Sequence, residues 1–161
     1  MNEALQIQQR LFERIPRAFA RDFLVIRGVL RLLNWLGQND SSKTDDNLEA
    51  NAFLFVPAHE QSFVRSYLEF VRGCTATDLS VRKDCLVSVV SIWRDLSPKN
   101  RLFAKLYYLC AAAWCDKFER TLDDSWREDW QNYVNQTDGN IPVWMFEVAR
   151  RLEFQFPERA A

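Results

Sequence analysis

Between Leu102 and Cys115 the chain reads LFAKLYYLCAAAWC, and Lys105 is the only charge in it. Ser97 and Pro98 stand just ahead: a side-chain acceptor suited to an N-cap, then a residue whose missing N–H costs nothing in a first turn. At about 100° per residue, Leu102, Phe103, Leu106, Tyr107, Leu109, Cys110, Ala113 and Trp114 cover well over half of a helix circumference. Ala104, Ala111, Ala112 and Cys115 keep most of the remainder small. A helix apolar nearly all round needs cover nearly all round. The stretch therefore predicts a central helix over about 98–121, with Leu106 and Cys110 almost fully buried.

The flanking sequence predicts an all-α fold: a compact single-domain helical bundle of six to seven helices spanning 1–161. Four glycines and five prolines are too few for the many tight turns of a sandwich or barrel. Helices are expected over about 3–14, with Pro16 ending or kinking the first, and over 16–36, 58–72, 78–96 and 125–136. A last helix follows Pro142. Gly37 and Gly73 read as helix ends, and Asp78 or Thr77 as a cap. Residues 38–50, polar and acidic, predict a loop or disordered insert. The runner-up is an α+β fold with strands at 52–56 and 85–92, where β-branched and aromatic residues cluster.

No motif fixes a chemistry. Walker-type glycine loops, GxGxxG, GxSxG and HExxH are all missing. His59 is the only histidine, so any Ser-His or Cys-His nucleophile system would have to use it. Its place in PAHEQS suits a helix start. Cys74, Cys85, Cys110 and Cys115 form no CxxC pair, and three of them sit in apolar helical patterns, as free buried thiols do. No catalytic residue, cofactor or metal is expected. No apolar run reaches the roughly 18 residues of a membrane span, and the N-terminal stretch lacks a signal peptide's apolar core. The expected setting is cytoplasmic, with no membrane partner.

The net charge of −1 predicts no polyanionic partner by itself, but the distribution is uneven. Residues 1–36 carry six arginines against Glu3, Glu13 and Asp22. On one continuous helix Arg14, Arg17, Arg21, Arg27 and Arg31 fall within about 140°, opposite an arc of Phe19, Phe23, Ile26, Val29, Leu30 and Leu33. Arginine at every position favours bidentate contact with oxyanions. These five arginines are the first candidate partner-binding residues. Trp126, Trp130 and Trp144 are the second: they either seal one end of the core or form a tryptophan hot spot. The expected function is a non-enzymatic helical interaction protein, serving as adaptor, regulator or small subunit of a larger assembly. The alternative is a nucleic-acid-associated helical subunit that grips the phosphate backbone through the arginine stripe.

Overall fold

The computed structural model describes residues 3–7, 20–37, 46–118 and 124–158. Residues 3–7 form a short helical segment. Seven longer α-helices follow: α1 Ala20–Leu36, α2 Asp46–Phe53, α3 Gln61–Thr75, α4 Leu79–Trp93, α5 Pro98–Phe118, α6 Ser125–Gln136 and α7 Val143–Arg151. A 3₁₀ turn, Ala58–Glu60, leads into α3. Among the described residues there is no strand, so the fold is all-α. The 85–92 segment lies inside α4, and 52–56 completes α2 and the turn after it. Short connections make α3, α4 and α5 successive neighbours, with α1 and α2 on the α3 side and α6 and α7 on the α5 side.

Local chemistry accounts for the helix ends. The Asp78 carboxylate accepts the Ser80 N–H at 2.8 Å and caps α4. Ser97 Oγ accepts the Asn100 N–H at 3.2 Å ahead of Pro98. Arg82 of α4 donates to the carbonyls of Gly73 at 3.1 Å and Ala76 at 2.6 Å, which satisfies the C-terminal end of α3. The Gly37 N–H closes α1 on the Leu33 carbonyl at 2.9 Å.

The buried side chains form one cluster that runs from Ala20 on α1 to Phe154 beyond α7. Every residue from Tyr107 to Cys115 is buried, so that stretch of α5 is covered on all sides. Its first two turns are not. Leu102 is 70% exposed, Phe103 is 58% exposed, and Leu106 is only half-buried. The end of α4 covers one side of these turns, where Arg101 Nε donates to the Trp93 carbonyl at 3.2 Å and Ala104 is buried, and the side of Leu102 and Phe103 is left open. The expectation of cover all along 98–121 is corrected to this extent, and Glu119–Thr121 lie outside the described residues.

Gly73 does not end a helix. It sits within α3, where a Cβ would stand 2.8 Å from Leu86 Cδ2 and 3.2 Å from Cys85 Cβ. The missing side chain is what lets α4 lie close against α3. Gly73→Ala would ordinarily gain about 1 kcal/mol of helix propensity. Here overpacking against Leu86 should reverse the sign, with a net loss of roughly 1–3 kcal/mol measured by urea denaturation.

Candidate functional site

The first helix is turned the opposite way from its apolar periodicity. Its buried residues are Ala20, Phe23, Leu24, Arg27, Gly28, Leu32 and Asn34. That arc contains the arginines. Ile26 at 52%, Val29 at 41% and Leu33 at 43% are exposed. The described arginines therefore do not share an exposed face, and this expectation is corrected. Arg27 is 3% exposed, and its Nε donates to Glu49 Oε1 at 3.1 Å. Arg31 Nη1 donates to both oxygens of the same carboxylate, at 3.0 and 3.2 Å. Glu49, on α2, is 4% exposed. Arg21 is half-buried, with its guanidinium 3.5 Å from Glu60 and over the Phe63 ring. Arg14 and Arg17 lie outside the described residues.

Two features explain the rotation. Glu49 supplies the counter-charge without which a buried guanidinium would cost several kcal/mol. Gly28 supplies the space: a Cβ there would stand 2.4 Å from Tyr67 Cε1, so α3 can approach only this side of α1. The polar insert expected at 38–50 is corrected in the same stroke. Residues 46–50 are helical and hold the buried Glu49, while 38–45 lie outside the described residues.

At the other end of the molecule the three tryptophans do not form an exposed cluster. Trp126 and Trp130 of α6 are buried, and Trp144 is half-buried with its ring edge-on to Phe70 of α3. The segment after α7 crosses α6 as an extended strap over residues 154–158. Phe156 stacks on Trp130 with centroids 4.3 Å apart, and Trp130 Nε1 donates to the Pro157 carbonyl at 2.9 Å. A groove of about 750 Å³ runs along one side of the strap, lined by Asp116, Trp126 and Arg127. A second, of about 770 Å³, runs along the other, lined by Val134, Ile141 and Phe146. Both arginines of the first groove are paired: Arg127 meets Asp116 at 2.6 Å, and Arg150 meets Glu147 at 2.9 Å.

The remaining chemical groups are placed plainly. His59 projects into solvent from the 3₁₀ turn, 3.8 Å from Glu60. All four cysteines are free and buried. Burial pushes the Cys85 thiol up to about 12, with help from the neighbouring Glu69 carboxylate, and raises Cys74 and Cys110 as well. Among the described residues no group of three His, Cys, Asp or Glu side chains is placed to hold a metal ion. No described helix is long and apolar enough to cross a membrane. No family model, curated protein or solved structure matches the chain.

The sequence signals for the true arrangement were a glycine in mid-helix at 28 and an acid, Glu49, inside NLEANAF. Neither stands out by spacing alone. Glu49→Gln should leave two buried guanidiniums without a counter-charge and cost about 3–5 kcal/mol, read as a lowered midpoint in denaturant unfolding.

A second outcome follows from the thiols. A thiol that is harder to ionise when folded adds stability below its unfolded value of about 8.5 and loses that stability as pH rises toward its folded value. Stability should therefore decline from about pH 8.5 upward. At pH 8 a thiol-reactive dye should label the four cysteines slowly in the native protein and promptly in denaturant.

Proposed function

We propose that this protein is a non-enzymatic helical interaction protein and that the outer face of α1 is its docking surface. The observation that carries the reading is the uncovered stripe of Ile26, Val29 and Leu33. Single exposed aliphatic residues need no explanation. Here three fall on successive turns of one helix. Arg27 and Arg31, the charged residues between Phe23 and Leu36, are turned to the other side. An aliphatic stripe of this form suits the apolar face of a partner helix or a shallow apolar groove. The tryptophans, buried or half-buried, give less support to an interface at Trp126, Trp130 and Trp144.

The nucleic-acid alternative keeps little. Arg21, Arg27 and Arg31 are engaged with carboxylates inside the molecule, which leaves Arg14 and Arg17 to carry it.

Ile26→Glu with Leu33→Glu should change stability by less than about 1 kcal/mol, because both positions are already exposed. The same pair should weaken capture of a native partner at least tenfold, measured by cross-linking and quantitative pull-down with circular dichroism as the folding control. Undiminished capture would move the interface off α1. Binding to random-sequence DNA that weakens by about 0.9 in log K per log salt for each phosphate contacted would revive the alternative.

A further inference from the structure

Two apolar tips stand at one end of the bundle. Arg21, near the start of α1, meets Glu60 just ahead of α3, and Gly28 faces Tyr67, so α1 and α3 begin together. Tyr67 meets Tyr107 edge-on, which brings the start of α5 to the same end. Arg82, near the start of α4, holds carbonyls at the end of α3, so α4 runs back and finishes beside Arg101. The turn after α2 leaves Leu54 74% exposed, two residues before Val56, whose carbonyl accepts from Gln61 at the start of α3. That is the first tip. Leu102 and Phe103, exposed on the first turns of α5, are the second.

The second tip lies in a positive field. Residues 94–105 carry Arg94, Lys99, Arg101 and Lys105 against Asp95, in a chain of net charge −1. Lys99 is exposed. Arg101 donates to the carbonyls of Trp93 and Arg94, contacts that leave its charge uncancelled. The N-terminus of a 21-residue helix adds partial positive charge at the same place. Of the other acids at this end, Asp22 and Glu60 both lie beside Arg21.

We propose that this end of the bundle docks on an anionic lipid surface, with Leu54, Leu102 and Phe103 entering the headgroup boundary and Lys99 and Lys105 meeting the lipid phosphates. Leucine and phenylalanine beside lysine and arginine form the composition that holds amphipathic helices in the membrane interface. Nucleic acid would engage the lysines and leave the apolar pair in water. A partner helix would suit a stripe along one helix, as on α1. Here the apolar side chains stand on two separate elements, and a fluid surface can meet both tips at once. The contact is peripheral, since no described helix is long and apolar enough to cross a membrane. It departs from the expectation of no membrane partner because the apolar run of α5 does not reveal that Leu102 and Phe103 stay uncovered. It is independent of the α1 docking surface.

The test is co-sedimentation of the full chain with phosphatidylcholine vesicles, with and without phosphatidylserine. Binding should require the phosphatidylserine and weaken with salt. Leu102→Ser with Phe103→Ser should lower it roughly tenfold or more. Lys99→Gln with Lys105→Gln should lower it about thirtyfold, at about fivefold per charge. Circular dichroism is the folding control, and if one pair fails to fold the other decides. A polarity-sensitive dye on Leu54→Cys should shift to the blue on the anionic vesicles, since the four native thiols are buried and label slowly. The same dye on Leu79→Cys, exposed at the opposite end where α4 begins, should not shift. Failure to sediment with either vesicle overturns the proposal. So does equal binding to neutral vesicles that ignores the lysine pair. Vesicle binding lost with Ile26→Glu and Leu33→Glu but kept with the Leu102 and Phe103 pair overturns it too, and moves the lipid contact to α1. Binding to random-sequence DNA that falls with the lysine pair, while vesicles stay unbound, overturns it in favour of nucleic acid.

Discussion

One carboxylate holds two guanidiniums inside this protein, and much of the architecture around α1 follows from it. Taking a charge out of water costs several kcal/mol unless a partner stands beside it. Glu49 stands beside Arg27 and Arg31 at hydrogen-bond distance. The contact ties α2 across α1 and fixes the rotation of α1 about its axis. With that rotation Gly28 faces α3, and Tyr67 seats against it. Tyr67 then meets Tyr107 of α5 edge-on, with centroids 5.3 Å apart, and Phe70 packs against the same ring. The line of contact from Glu49 to the buried run of α5 is continuous.

Much of this architecture is legible in the sequence, and what is not has a common physical cause. The spacing of Trp126, Trp130 and Val134 gives α6 its bounds, and Asp78 and Ser97 cap the helices that follow them, because those signals act within one or two turns. The rotation of α1 is not legible in the same way. Its residues offer two apolar arcs, one through Ala20, Leu24, Gly28 and Leu32 and the other through Ile26, Val29, Leu30 and Leu33. Hydrophobic periodicity prefers the second because the first contains arginines. The deciding partner, Glu49, is 22 residues from Arg27 in the chain. It lies in a stretch whose polarity reads as loop. Gly73 illustrates the same limit on a smaller scale: a glycine near a helix end reads as a terminator, and only the approach of Leu86 reveals its role.

The candidate surfaces divide similarly. Aromatic spacing marks Trp126 and Trp130 correctly as members of α6, but Trp130 is covered by the strap, whose residues 154–158 have no periodic signal of their own. The exposed ends of α5, at Leu102 and Phe103, show why an apolar run does not guarantee cover along its full length. Cover there comes from one side only: Arg101 is tied to the carbonyls of Trp93 and Arg94 at the end of α4, while Leu102 and Phe103 on the other side stay exposed.

The choice of an ion cluster for the buried side of α1 is itself informative. Apolar residues of similar volume at 27, 31 and 49 would pack without any desolvation cost, and such replacements are often neutral or stabilising. They would also make the two faces of α1 alike. A helix aliphatic on both sides has no strong reason to present Gly28, rather than Ile26 and Leu33, to α3 and could settle in either rotation. Two guanidiniums that find their counter-charge only in one rotation remove that ambiguity, much as a single buried polar residue fixes register in a coiled coil. Rotated the other way, α1 would hide the aliphatic stripe and release its arginines to solvent, but α3 would then meet larger side chains in place of Gly28. The sequence carries a glycine and a distant glutamate that together favour the observed rotation. What that rotation gains is an aliphatic stripe held outward on a helix fixed about its own axis.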